Sequence, residues 1–321
     1  MTHVRASVVL LTYNQEAFVK EALQSLLDQD YDDLEIVVSD DGSKDSTWRV
    51  VTDMAAHYKG LKRLLLNQNT TNIGLTANYE AAFALTSGEL VFSAAGDDVS
   101  TPDRCSACVA LWLANDRVPD FIATDAYDMA LDGKVLGTKC MDELQGLTLE
   151  QWAVKRPYQF GASHMLTRRL LALNPLAPNV PAEDQCFVMR AVLMGGGLRL
   201  SAPKVYHRRS GMSGKVREKS FEEKMANMRK GASRGLLELA QMQRDATCLG
   251  QAARFESLTQ GQADLYRYIL AQLDKPGFLK SWTLLRDAKG LRFSKKLRFF
   301  LYANLSWWFS TLFQLKVAVN G

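Results

Sequence analysis

At 321 residues the chain exceeds the ~100–200 residues of an ordinary single domain, so one large domain with an appendage is expected. Its 47% hydrophobic and 23% charged residues are those of a folded globular protein and exclude a disordered or fibrous chain. A formal net charge of +4, with no zinc-finger or RNP-type signature, gives no reason to expect a nucleic-acid partner.

In chain order, Ser7-Val8-Val9-Leu10-Leu11-Thr12 reads as a buried parallel strand. No charged leader or cleavage site stands before it, so no signal peptide is expected. Phe18, Val19, Ala22, Leu23, Leu26 and Leu27 then recur at helical spacing. Leu34 to Ser39 is the second strand and ends in Asp40-Asp41-Gly42-Ser43, with Asp45 and Ser46 as candidate N-caps for a helix through Val50 and Met54. Leu61 to Leu66 gives a third strand, Ala77 to Leu85 a helix, and Glu89 to Ala94 a fourth strand that runs into Gly96-Asp97-Asp98. This alternation is how a doubly wound α/β sheet reads.

Cys105 and Cys108 form a lone CxxC in the helical stretch Cys105 to Leu113; no second pair completes a zinc site, and core packing is expected. With Cys140, Cys186 and Cys248 the count is odd and without paired spacing, which suits a reducing, cytoplasmic compartment. Phe121 to Thr124 and Phe160 to Leu166 read as strands, and Glu183 to about Met194 as a helix stopped by Gly195-Gly196-Gly197.

From Lys215 the pattern turns to long helices, Phe221 to Gln243 and Ala252 to Leu273, which sets an expected boundary between a domain at 1–212 and a helical region at 213–321. Lys280 to Arg298 is basic, and Phe299 to Phe313 is aromatic and apolar but shorter than the ~20 residues that spanning a bilayer requires. Peripheral contact with a membrane, or packing on the protein itself or on a second copy as a homo-oligomer, are the two readings of that segment.

The chemistry concentrates in two carboxylate pairs, Asp40-Asp41 and Asp97-Asp98, each ending a predicted strand of one sheet. In open parallel sheets, ligands bind outside the carboxyl ends of the strands. Carboxylates there can accept hydrogen bonds from a base and ribose, whereas a diphosphate needs a divalent cation between it and an acid. The plainer reading is an Asp-Gly turn and a helix cap; two such pairs at strand ends weigh against it.

These residues resemble the glycosyltransferase family 2 group with the GT-A fold, a Rossmann-like, mostly parallel sheet flanked by helices. The resemblance is carried by SVVLLTYN (Ser7 to Asn14), DDGSKDST (Asp40 to Thr47), Asn72-Ile73-Gly74, Gly88-Glu89, and Asp97-Asp98 followed by Pro102-Asp103-Arg104, and spans roughly residues 4 to 210. It implies an inverting transfer of one sugar from a nucleotide-sugar donor, commonly UDP-linked, to a hydroxyl acceptor, with Mn²⁺ or Mg²⁺. It implies that Thr12, Tyr13, Asn14, Asp40 and Asp41, with Asn72 and Gly74, surround the nucleotide; that Asp97 meets the ribose and metal region; that Asp98 is the chief metal ligand; and that Asp184, in Glu183-Asp184, is the catalytic base. An Asp at its usual pKa of ~3.9 is a weak base, so proton transfer would follow bond formation. Asp184 is also a candidate helix cap.

Two departures stand out. Ala95 occupies a position where many relatives carry an acid, and His207, a further candidate metal ligand within Tyr206-His207-Arg208-Arg209-Ser210-Gly211, is shifted from the place where relatives carry a His, which Arg209 fills. Arg208 and Arg209 are alternative partners for a diphosphate. The QxxRW motif and membrane spans of processive synthases are absent from the sequence, which points to single additions. Stand-alone relatives build bacterial surface polysaccharides such as O-antigen or capsule on polyprenyl-diphosphate carriers, which implies such an acceptor here. A sugar nucleotidyltransferase wants a Gly-rich loop after the first strand, a dinucleotide oxidoreductase wants G-x-G-x-x-G there, and Thr12 to Glu16 offers neither. A non-catalytic nucleotide-sugar binder remains the alternative, with Ala95 its main support.

Overall fold

The computed structural model describes residues 4–209, 218, 220–274 and 276–320. The chain divides into two compact units: residues 1–214 with 244–251, and 215–243 with 252–321. The boundary expected at 212/213 lies outside the described residues, as do Ser210 and Gly211.

In the first unit, β1 (Ala6–Thr12), α1 (Val19–Leu27), β2 (Leu34–Asp40), α2 (Thr47–His57), β3 (Arg63–Gln68), α3 (Leu75–Ala84) and β4 (Leu90–Ala95) follow one another as βα units. A short β5 (Val99–Ser100), α4 (Arg104–Ala114), β6 (Phe121–Met129), β7 (Val135–Lys139), α5 (Leu149–Val154), β8 (His164–Thr167), α6 (Arg168–Leu171), α7 (Asp184–Met194) and β9 (Leu198–Arg208) complete it. Among the described residues nine strands make one sheet, ordered β3-β2-β1-β4-β8-β6-β9-β5, with β7 paired to β6. β3, β2, β1 and β4 run parallel, β6 and β9 are parallel to each other, and β8 is antiparallel to both β4 and β6. The expected α/β sheet with a helical C-terminal region is therefore present.

Every residue of β1 and β2 is buried, as befits central strands covered on both faces. Val8, Leu10, Leu23, Leu26, Ile36, Val38 and Phe92 share one core with Trp112, whose indole N–H donates to Pro119 O. Cys105 and Cys108 are buried in that core, and burial pushes both thiols up, so they stay protonated and inert.

Three expectations need correction. The third strand begins at Arg63 rather than Leu61, which is fully exposed; β3 pairs with β2 alone, and half its residues face outward. The strand read from Phe160 exists only from His164, because Gly161–Ser163 form a 3₁₀ turn first. The segment Phe299 to Phe313 is two helices, broken at Leu305.

The second unit holds most of α8 (Phe221–Cys248), then α9 (Ala252–Leu273), α10 (Phe278–Asp287), α11 (Phe293–Asn304) and α12 (Ser306–Asn320). Ala232, Tyr268, Ile269, Leu273 and Phe299 form its core. Asn304 Nδ2 turns back onto Phe300 O at 2.8 Å and onto Ser281 Oγ at 2.6 Å, a local side-chain bond of the kind that competes with helix continuation just where α11 stops. Among the described residues no helix is long and apolar enough to cross a membrane.

Candidate active site

The loops after β1 and β2 are bolted together by side chains. Thr12 Oγ1 donates to Asp40 Oδ1 at 3.0 Å, and Asp40 also accepts from the backbone N–H of Ser43 at 2.9 Å and from its hydroxyl. Asn14 sits at φ +52°, an uncommon conformation for a residue with a side chain. It is held there by donating its N–H to Ser43 Oγ while its Oδ1 accepts from Lys44 N. Asp45 Oδ1 accepts from Thr47 N at 2.9 Å and so caps α2, whereas Ser46 makes no capping bond.

Asp41 has a different task. Its carboxylate accepts from Asn69 Nδ2 at 3.0 Å, Ile73 N at 2.8 Å and Gly74 N at 3.0 Å, tying the Asn72-Ile73-Gly74 turn to the end of β2. Gly42 is required beside it: φ is +67°, and a Cβ would lie 2.7 Å from the Thr71 carbonyl carbon. Gly96 likewise leaves room for the first loop, since a Cβ there would meet Gln15 Oε1 at 2.4 Å. Between these fixed loops Tyr13 is 44% exposed, a ring at the rim free to lie against a planar base.

Asp97 and Asp98 follow β4. Asp98 is only 8% exposed, and its Oδ1 accepts the Arg208 backbone N–H at 2.8 Å. Burial, and then the neighbouring Asp97 charge, push Asp98 up to about 8; burial raises Asp97 as well. Arg208, itself buried, donates Nε to Asp97 O at 2.9 Å and Nη1 to Leu131 O at 3.1 Å, pairs with Glu21 at 2.6 Å, and lies 4.8 Å over the Phe18 ring. Its guanidinium is thus committed to the frame that aims Asp98, which sequence reading had missed: the signal lies in the β5–β9 pairing, Val99 against Tyr206, invisible in the linear chain.

Sheet register brings the third part to the same rim. Because β8 runs antiparallel to β4, with Phe92 opposite Met165, the turn before β8 lies beside the end of β4. Gly161 in that turn meets Glu183 and Asp184: a Cβ on it would stand 3.3 Å from Glu183 Oε1 and 3.8 Å from Asp184 Cβ. Asp184 is the first residue of α7, its Oδ1 accepting from Gln185 N at 2.7 Å, while the N-cap position falls to Glu183, which makes no side-chain capping bond. Further along α7, Arg190 and Asp245 form a bidentate ion pair with both side chains fully buried, and Arg190 also donates to Asn174 O. That pair anchors the helix whose first residue is Asp184.

His207 and Arg209 find other partners. His207 stacks on Phe160, with centroids 4.6 Å apart, and its Nδ1 lies 2.8 Å from Lys139 Nζ; burial first, and then the Lys139 charge, lower it to about 4. Arg209 grips Asp128, which Lys139 also pairs at 2.9 Å, and the Arg209 bond holds the Asp128 carboxyl well below the usual range. In this structure both side chains are engaged by protein neighbours, His207 by Phe160 and Lys139 and Arg209 by Asp128.

No group of three or more His, Cys, Asp or Glu side chains gathers to hold a metal among the described residues. The carboxylates that the sequence points to for a cation are Asp97 and Asp98, adjacent groups that burial makes hard to ionise together. That suits a hard cation such as Mg²⁺ or Mn²⁺, which takes one or two carboxylates and completes its shell with donor phosphates.

Residues 7–164 match the family model described as glycosyl transferase family 2. The GalNAc(5)-diNAcBac-PP-undecaprenol beta-1,3-glucosyltransferase of Campylobacter jejuni is 36% identical over 94 residues, 29% of this chain and 30% of that protein. The chain spans between 27% and 37% of the length of several curated relatives it matches. Among solved structures, Staphylococcus aureus TarS 1-349 in complex with UDP-GlcNAc superposes with a TM-score of 0.56 at 22% identity, over 94% of this chain and 91% of that one. The mannosyltransferase PcManGT from Pyrobaculum calidifontis, in complex with GDP-Man and Mn2+, gives 0.52 at 18% identity over 95% and 87%. With the strand order, the two acidic strand ends and the matched segment in agreement, the fold is a GT-A fold whose residues 7–164 are similar to glycosyl transferase family 2.

Proposed function

We propose that this chain is an inverting glycosyltransferase that moves single sugars from a nucleotide-sugar, most simply a UDP-sugar, to a hydroxyl of a glycan or polyprenyl-diphosphate-linked acceptor. The observation that carries the reading is the Asp97–Asp98 pair after β4, Asp98 buried and Asp97 half-buried, which burial makes costly to ionise together and which a cation shared with a diphosphate would relieve. Asp98 and Asp97 would hold Mn²⁺ or Mg²⁺, which when bound supplies a Lewis acid for the leaving diphosphate. Tyr13 and the loop of Thr12 and Asn14 take the base, with Asp40 and Asp41 fixing that loop and the Asn72 to Gly74 turn around it. Asp184 accepts the proton of the attacking hydroxyl on the face away from the leaving group.

The donor reading is supported by a UDP-GlcNAc complex and a GDP-Man and Mn2+ complex among the neighbours of the same fold, and the acceptor reading by the undecaprenol-linked relative. Such an acceptor sets the work at the inner face of a cytoplasmic membrane, in surface-polysaccharide synthesis. The test is a panel of nucleotide sugars incubated with the protein with and without Mn²⁺, reading released nucleoside diphosphate. Turnover of one donor that requires the cation, with turnover lowered ~10²–10⁴-fold in Asp184→Asn, is expected. Pyrophosphate as the product would make the protein a nucleotidyltransferase, and donor binding without turnover would make it a binder.

A further inference from the structure

We propose that the C-terminal helices of the second unit form a docking face for the headgroup layer of an anionic lipid membrane. Two features of the same unit carry this. Between Lys280 and Arg298 there are seven basic residues against the single acid Asp287, a net excess of six positive charges, and six of the seven bases are exposed. Beside them stand large apolar side chains in water: Phe278, Leu279 and Trp282 on α10, and Trp308, Leu312 and Leu315 along one stripe of α12.

The other flank of α12 already has its partners. Phe309 stacks on Phe221 at 5.7 Å and meets Tyr302 edge-on at 4.9 Å. The outward stripe is therefore not a core side turned the wrong way; it is a second apolar face, with Trp307 69% exposed at its head. Large apolar side chains exposed at helical spacing along one stripe mark an interaction site. Tryptophan, apolar in body and polar at its N–H, is the side chain most at home where hydrocarbon meets water. A helix of 15 residues beside a basic cluster lies in the plane of a bilayer rather than across it.

Charge complementarity selects the occupant. A two-fold dimer through this face would set the basic segment of one copy against the same segment of the other, a like-charge contact. Anionic headgroups meet both features at once: each exposed base gains in the negative surface potential, and the aromatic stripe sinks to the acyl boundary. The inference stands apart from the transfer reaction, because its test needs neither donor nor acceptor.

The full-length chain is to be sedimented with vesicles of phosphatidylcholine alone and of phosphatidylcholine mixed with phosphatidylglycerol. Binding at least ~10-fold stronger to the anionic vesicles, weakened by added salt, is expected. The pair Trp307→Ser with Trp308→Ser, and separately Lys289→Glu with Lys295→Glu, should each lower partitioning about tenfold or more while far-ultraviolet circular dichroism stays unchanged. Equal binding to both vesicle types that survives the charge reversals overturns the proposal. So does no vesicle binding together with a concentration-dependent dimer that the tryptophan substitutions dissolve, which would assign the face to a second copy.

Discussion

Two pairs of aspartates end two strands of one sheet, and the structure treats them in opposite ways. Asp40 and Asp41 are spent inside the protein, the first on Thr12 and Ser43, the second on Asn69, Ile73 and Gly74. Asp98 is buried and Asp97 half-buried, and burial raises both: the Arg208 guanidinium beside them bonds a carbonyl of Asp97 and the carboxylate of Glu21, while its backbone N–H donates to Asp98. The lesson is that hydrogen bonds commit one pair to holding loops, while desolvation makes the other costly to ionise and, on the proposed reading, open to a cation. Donor hydrogen bonds turn the first pair into struts, while crowding and desolvation leave the second pair a deficit of positive charge.

The largest expected effect separates the pairs by turnover. Asp98→Asn should lower cation-dependent turnover on the order of 10³-fold, because it removes the charge that a divalent ion would answer. The same substitution should stabilise the cation-free protein by on the order of 1–3 kcal/mol at neutral pH, read as a rise in Tm of a few degrees. A cation-free Asp98→Asn protein that melts lower than the parent would break the comparison.

Removing a strut should do the reverse. Asp41→Ala leaves the N–H groups of Ile73 and Gly74 and the Asn69 amide without their acceptor, a loss of about 2–4 kcal/mol in urea denaturation with or without cation. Gly42→Ala presses a Cβ onto the Thr71 backbone at positive φ and should cost about 1–3 kcal/mol in the same assay.

The Asp97–Asp98 pair also makes stability depend on pH. An unfolded Asp titrates near ~3.9, whereas folded Asp98 is pushed up to about 8. Between those values the folded protein keeps a proton that the unfolded chain has released, so this group's stability contribution is whole below ~4 and is lost as pH climbs through about 8. Melting curves of the cation-free protein across that window should fall with pH more steeply in the parent than in Asp98→Asn. Cation affinity should rise over the same window, since binding displaces the proton. A parent slope equal to that of Asp98→Asn would remove the electrostatic half of the contrast.

Much of this frame was legible in the chain. Burial on both faces makes β1, β2 and β4 read as unbroken apolar runs, and helical periodicity placed α1, α7, α8 and α9 within a few residues of their observed ends. The acidic strand ends were equally visible. What the two pairs do was not, because Asp41 answers to residues 28 to 33 positions away and Asp98 to one 110 away, and those distances close only through sheet register. The bonds Arg208 makes to Asp97 and Glu21 were out of reach for the same reason: strand alternation puts His207 and Arg208 on opposite faces of β9, but which face meets Asp97 depends on how β9 pairs with β5.

The smallest effect probes the residue that the sequence set beside the cation. His207 is stacked on Phe160 and set against the Lys139 ammonium, and at about 4 it stays neutral through the physiological range. Its ring lies on Phe160, next in the chain to Gly161, where an added Cβ would stand 3.8 Å from Asp184 Cβ, so its influence should fall on how Asp184 is presented rather than on the Asp97–Asp98 pair. His207→Asn is expected to lower turnover only ~3–10-fold, the scale of a lost supporting contact, while the Mn²⁺ concentration for half-maximal turnover stays within about twofold. A tenfold or greater rise in that concentration would return His207 to the cation and make the deficit at Asp97–Asp98 a three-residue property instead of a two-residue one.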